Sequence, residues 1–190
     1  MVELNKYTFF ILLSPYFIFA FISYLKGKTV KTIVINFLIY FYCLLVFSLT
    51  ILPIYIQKEA IEHYREVVGF SSNFIPFRSI SQILLKISNY SAFKQLAGNI
   101  ILFIPLSFIL PLYTKRFRKF GKVLLSGFLI SLGIETLQFI ISFFYGFSYR
   151  TTDVDDIILN CAGVVIGFIL YSLLRLCYNL HHLTIKSPPS

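Results

Sequence analysis

Five apolar stretches fill most of this chain, at 7–25, 32–56, 96–113, 123–145 and 157–174. Each is close to the ~20 residues that an α-helix needs to cross a hydrocarbon core. Hydrophobic residues make up 57% of the 190, too many to bury in a water-soluble domain of this size, so the expected fold is an all-α, polytopic transmembrane bundle. The same stretches leave no room for a large soluble domain. The first is read as a retained span and not as a signal peptide. Its apolar run is too long for an h-region, its positive charges follow it, and it has no clear small-residue cleavage site.

Charge orients the bundle. Lys26, Lys28 and Lys31 lie between spans one and two. Lys115, Arg116, Arg118, Lys119 and Lys122 lie between spans three and four, and Arg175 and Lys186 follow span five. All three groups fall on one side, which the positive-inside rule makes cytoplasmic, with the N-terminus out and the C-terminus in. Apart from Glu135, the acids Glu3, Glu59, Glu62, Glu66, Asp153, Asp155 and Asp156 fall on the other side. The net charge of +9 is therefore a topology signal that also suits anionic headgroups, and nucleic acid is not an expected partner. Tyr24, Tyr113 and Tyr178 would mark the inner interface, and Tyr7, Tyr55 and Tyr145 the outer one.

The one sizeable segment outside the spans is 57–95, predicted to be external. Ile80, Ile83, Leu84 and Ile87 fall at helical spacing with Ser79, Ser81, Gln82 and Lys86 opposite, which predicts a short helix in the interface. Before it, Asn73-Phe74-Ile75-Pro76-Phe77-Arg78 is an apolar turn whose proline blocks a regular helix. Such a turn is expected to dip into headgroups or to cap the bundle.

A carboxylate at the bilayer centre costs roughly 2.5–3.5 kcal/mol, yet Glu135 sits in the middle of span four. Ser131, Glu135, Gln138 and Ser142 recur at i, i+4, i+7 and i+11, one polar stripe that must face protein or a water-filled cavity. Asp156, Asn160, Gly163 and Gly167 share one face of span five in the same way. Asn99, near the start of span three, completes an expected outward-opening cavity, with Arg78 and Arg150 above it presenting guanidinium forks for a carboxylate or phosphate. The candidate ligand-binding set is thus Asn73, Arg78, Asn99, Glu135, Gln138, Arg150, Asp153, Asp155, Asp156 and Asn160. A competing reading has the same groups hydrogen-bonding across helices to lock the bundle.

Two readings of Asp153-Val154-Asp155-Asp156 stand side by side. Three carboxylates with Asn160 one turn below offer oxygens to a hard divalent cation. They also stand at a helix start, where Asp caps backbone N–H groups and complements the macrodipole. With no glycine-turned calcium loop, no metal site is assigned. Nucleophile-elbow, zinc, P-loop and dinucleotide motifs are absent, and no cofactor is expected. Cys43, Cys161 and Cys177 lie in or beside spans without metal-ligand spacing and read as packing residues. The Gly163-x-x-x-Gly167 pair suits close helix approach, within one chain or between two copies.

Four segments in order resemble the signatures of the VanZ-like membrane proteins. They are Asn73-Phe74-Ile75-Pro76-Phe77, Gly98-Asn99-Ile100-Ile101-Leu102-Phe103-Ile104-Pro105-Leu106, Ser131-Leu132-Gly133-Ile134-Glu135-Thr136-Leu137-Gln138, and the run from Arg150 to Gly163 with Gly167. Ser107 departs from the pattern, which leads one to expect glycine after Pro105-Leu106. The resemblance covers about half the chain. It implies a VanZ-like region at 73–174; two N-terminal spans with the start of the external segment at 1–72, which carry no signature, and a tail at 175–190 flank it. It also implies a link to resistance against teicoplanin-type lipoglycopeptides. The expected function is a non-enzymatic binder of a membrane lipid or lipid-like amphiphile at the outer leaflet. The alternatives are an intramembrane enzyme, with Glu135 as base and a cation on Asp155 and Asp156, a transporter of a lipid-linked envelope precursor, and an assembly subunit built on Gly163 and Gly167.

Overall fold

In a computed structural model, which describes residues 6–85 and 90–186, with side chains for 7–85 and 93–179, long apolar runs become helices. Among the described residues there are seven: α1 Lys6–Leu25, α2 Val30–Thr50, α3 Lys58–Val68, α4 Arg78–Leu85, α5 Tyr90–Tyr113, α6 Phe120–Tyr145 and α7 Val154–Lys186. Five of them (α1, α2, α5, α6 and α7) are long and apolar enough to cross a membrane. Their many exposed Leu, Ile and Phe side chains, such as Phe17, Phe21, Phe143 and Leu173, suit contact with lipid.

Span boundaries differ from expectation where backbone chemistry intervenes. The second span was expected over 32–56, but α2 ends at Thr50. Pro53 has no N–H to donate and disfavours a helical Leu52 before it. The fifth, expected over 157–174, runs on as α7 from Val154 to Lys186. The helix α5 continues through both Pro105 and Pro111.

The chain divides into two compact units. One comprises Met1–Ser71 and Ile140–Arg150, the other Ser72–Phe139 and Thr151–Ser190. In the first, α1 turns into α2 through a glycine-ended cap. Lys28 N donates to Ser23 O and Gly27 N to Tyr24 O, with Gly27 at φ 72°. A left-handed residue at this position is what lets a helix close its last carbonyls, and glycine takes it without a steric cost. Tyr16, Phe37, Tyr40 and Phe41 then interleave between the two helices, and the Tyr16 and Tyr40 hydroxyls donate to Ile33 O and Leu12 O.

The helix α3 was not anticipated. Its residues Ala60, Ile61 and Tyr64 are half-buried and the rest of its surface is exposed, a one-sided pattern readable from those three residues. Phe147, 1% exposed, lies between Tyr64 and Tyr145 with ring centroids 5.7 and 5.5 Å away. The Tyr145 hydroxyl accepts from Tyr55 N at 3.0 Å and donates to Tyr55 O at 2.9 Å. The Arg65 guanidinium donates twice to Tyr145 O, at 3.1 and 3.0 Å. Tyr55 and Tyr145, expected only as interfacial anchors, also clasp this unit together.

The second unit packs α5, α6 and α7 around Phe103, Val123 and Val164, all fully buried. The pair Gly163 and Gly167 faces α5 of the same chain: a Cβ on Gly163 would stand 2.1 Å from Ile100 O, and one on Gly167 2.3 Å from Ile104 O. Ser107, the departure from the family pattern, is fully buried against Gly167, its Oγ 2.1 Å from where that Cβ would be. The hydroxyl of Ser107 fills the space that Gly167 leaves, and it bonds back to Ile104 O at 3.0 Å.

Candidate functional site

Polar groups at membrane depth must find partners inside the protein, and around Glu135 they find them in segments nearly 80 residues apart. Two residues of β1 (Ser72–Asn73) pair in parallel with two of β2 (Thr152–Asp153), in the register Ser72 to Thr152 and Asn73 to Asp153. Neither strand was expected. The buried Asp153 N donates to Glu135 Oε2 at 2.9 Å, which fixes the pair at the level of Glu135. The helix α6 continues ten residues beyond Glu135 to Tyr145, about 15 Å at 1.5 Å per residue. The strand pair is therefore tied to a residue in the interior of an apolar helix. The sequence had suggested a turn that dips into headgroups or caps the bundle; the bond from Asp153 N ties its strand to Glu135.

Non-helical backbone at that depth is tolerated where it is buried in protein, and here the carboxylates provide the burial. Asp153 Oδ1 accepts from Asn73 Nδ2 at 2.8 Å and from Asp155 N at 2.9 Å, and Asp153 Oδ2 accepts from Ser79 Oγ. Asn73 Nδ2 also reaches Ser79 Oγ at 3.1 Å, and Asn73 Oδ1 accepts from Ile75 N at 3.1 Å, closing the turn. Asp155, fully buried, accepts from Phe77 N on one oxygen and from Ile80 N at 3.0 Å on the other. Asp153 thus caps its own helix α7, whereas Asp155 caps α4, a different helix. The cap holds Phe77 at φ 64°, a left-handed conformation that costs a non-glycine residue about 1–3 kcal/mol.

Both oxygens of Asp153 and of Asp155 are thus engaged by protein donors. Among the described residues no group of three or more His, Cys, Asp or Glu is placed to hold a metal ion. The capping reading of the Asp triplet accounts for the geometry of Asp153 and Asp155, while Asp156 lies half-buried on the first turn of α7.

The remaining candidates divide. Gln138 is buried one turn beyond Glu135 on α6. Asn160 Nδ2 donates to Ser131 Oγ at 2.8 Å, tying α7 to the polar stripe. Asn160 Oδ1 and Asn99 Nδ2, both shielded from solvent, have no hydrogen-bond partner among the described residues. They flank the close contact of Gly163 with Ile100, so one open acceptor and one open donor stand near the α5–α7 seam. Arg78 is exposed at the start of α4. Arg150 belongs to the other unit, where its guanidinium donates to Leu52 O at 2.6 Å and its carbonyl accepts from Ser142 Oγ at 3.3 Å. Ser79 was placed in the sequence only on the polar face of α4; its role as a bridge between Asn73 and Asp153 follows from the strand register and has no local signal.

The clamp has an outer face. With its polar backbone held inward, the turn exposes Phe74 (65%), Ile75 (58%) and Phe77 (61%), and α4 adds Leu84 and Leu85. Phe74 also meets the Phe139 ring of α6 edge-on at 6.2 Å. The result is an apolar surface carried on a turn fixed by buried carboxylates. Ile87 and Lys86, expected on the same helix, lie outside the described residues.

No curated protein and no solved structure matches the chain. Residues 37–175 match the family model of VanZ/LLP1, a stretch that begins within α2, upstream of the first signature at Asn73, and ends within α7. This covers well over half of the 190 residues, and the chain is a membrane protein that belongs to the VanZ/LLP1 family.

Proposed function

We propose that this protein is a multi-pass protein of the cell membrane that binds an amphiphile at the outer leaflet, and that it acts in this way in tolerance to teicoplanin-type lipoglycopeptides. One observation carries the reading. The turn 73–77 is clamped by Asp153 and Asp155 yet leaves Phe74, Ile75 and Phe77 more than half exposed. A packing element would bury those side chains, whereas a fixed apolar surface at membrane depth suits an acyl chain. The polar head would be met by Glu135, Gln138 and Asp156, by the open amide groups of Asn99 and Asn160, and by Arg78 as a guanidinium donor.

The test is susceptibility to teicoplanin of a deletion strain complemented with wild type, Glu135→Gln, or the double variant Phe74→Ser/Ile75→Ser, at matched protein levels. Glutamine keeps an oxygen for Asp153 N, so Glu135→Gln should insert and accumulate yet fail to restore tolerance. The serine variant changes exposed side chains and should fail likewise. Full tolerance with both variants would remove the binding site from this face.

A further inference from the structure

The end of the second unit opposite the clamp carries a groove of about 440 Å³ lined by Phe108, Leu112, Arg118, Tyr171, Leu174 and Arg175, with Tyr178 and Asn179 at its edge. Its volume falls in the range of small-molecule sites. Its walls are of two kinds. Phe108 and Leu112 come from the apolar part of α5, and Tyr171 and Leu174 from that of α7. Arg118 closes a short 3-10 turn, Lys115–Arg118, between α5 and α6, and Arg175 stands on α7 one residue past Leu174.

The two guanidinium groups have no acidic neighbour on any element that lines the groove. No Asp or Glu occurs in 67–134 or after Asp156, so α5, the 3-10 turn and the rest of α7 carry none, while Lys115, Arg116, Lys119 and Lys122 add further positive charge. Cations with no acid on the elements around them, beside apolar walls at the end of a span, suit an anion that brings its own hydrocarbon. A soluble anion would leave Leu112 and Leu174, 62% and 57% exposed, without a partner.

We infer that this groove is a binding site for one anionic glycerophospholipid, its phosphate held between Arg118 and Arg175 and an acyl chain laid along Phe108, Leu112 and Leu174. An arginine pair is suited to this because each planar fork can engage two phosphate oxygens at once. Basic pockets at the ends of transmembrane helices take lipid headgroups on the same physical grounds. The site is separate from the amphiphile-binding clamp and does not depend on it.

The experiment uses the full chain in neutral detergent, titrated with dioleoyl-phosphatidylglycerol or dioleoyl-phosphatidylcholine, with bound lipid counted by native mass spectrometry. Wild type should bind the first phosphatidylglycerol about tenfold more tightly than phosphatidylcholine, and Arg118→Gln/Arg175→Gln should abolish that preference. Arg118→Lys/Arg175→Lys should keep part of it, and Lys26→Gln/Lys28→Gln, which removes charge elsewhere, should keep all of it. An unchanged preference in the glutamine variant, or an equal loss in the Lys26/Lys28 variant, would overturn the site. If the glutamine variant fails to fold, the lysine variant decides: phosphatidylglycerol preference lost to the level of phosphatidylcholine, with charge retained, would also overturn it. Displacement of the lipid by about 10 mM inorganic phosphate would show a groove that reads phosphate alone, and would overturn the lipid assignment.

Discussion

Gly163→Ala should destabilise the protein by a margin that its local geometry fixes. The new Cβ would stand 2.1 Å from Ile100 O and 3.2 Å from Phe103 Cβ, whereas ordinary contact begins at 3.4 Å. The obstacle is the backbone of α5, so no side-chain rotation relieves it, and the two helices must part by about 1.3 Å at this point. Over-packing of this kind costs about 1–3 kcal/mol. Alanine recovers about 0.5–1 kcal/mol because it is the better helix former. Gly133→Ala is the matched control: it lies in the middle of α6 with nothing within 4 Å of its would-be Cβ, so only the favourable part applies. The two single variants should therefore differ by about 1–3 kcal/mol, at least a fivefold difference in folding equilibrium. Reversible unfolding of the purified chain in mixed micelles, with SDS as denaturant and far-UV circular dichroism as readout, measures it. Equal midpoints for the two variants would refute the close approach of α5 and α7.

Two further outcomes test the polar clamp and the aromatic clasp. Asp155→Ala removes the acceptor for Phe77 N and Ile80 N; hydrogen exchange at those two amides should accelerate at least about tenfold, and unchanged exchange would show that α4 is held by other means. Tyr145→Phe keeps the ring stacked on Phe147 but deletes both bonds to Tyr55; it should cost about 1–2 kcal/mol in the same micelle unfolding, and no loss would assign the clasp to ring packing alone.

What could be read in the chain was whatever repeats locally. Spans announce themselves by continuous apolarity, and the stripe Ser131, Glu135, Gln138 by helical spacing; each of these three is buried as the spacing implies. The close-approach meaning of Gly163 and Gly167 was also legible, because small residues at i and i+4 leave one flat face. The strand pair was not, since two residues have no period and their partners are 80 positions away. The same distance hid the role of Asp155. A carboxylate in the first turn of a helix reads as a cap for that helix, and nothing local says that it reaches across to the start of α4. Missing α3 had another cause. Its inward face is narrow, Ala60, Ile61 and Tyr64, and Glu59, Glu62 and Glu66 around it leave too few apolar residues to set a period.

The bonds from Asp153 and Asp155 to the turn at 73–80 also impose an order on biogenesis. Phe77 leaves the ribosome 78 residues before Asp155, about 4–16 s at ordinary elongation rates of ~5–20 residues per second. Throughout that interval the turn has neither its cap nor its strand partner, and α5 and α6 must be inserted before α7 can bring them. A turn with open N–H groups cannot settle at the depth of Glu135 beforehand without a large desolvation cost. The turn can therefore be seated only once α7 has arrived, so that placement of the first half of the family's signature depends on arrival of the second.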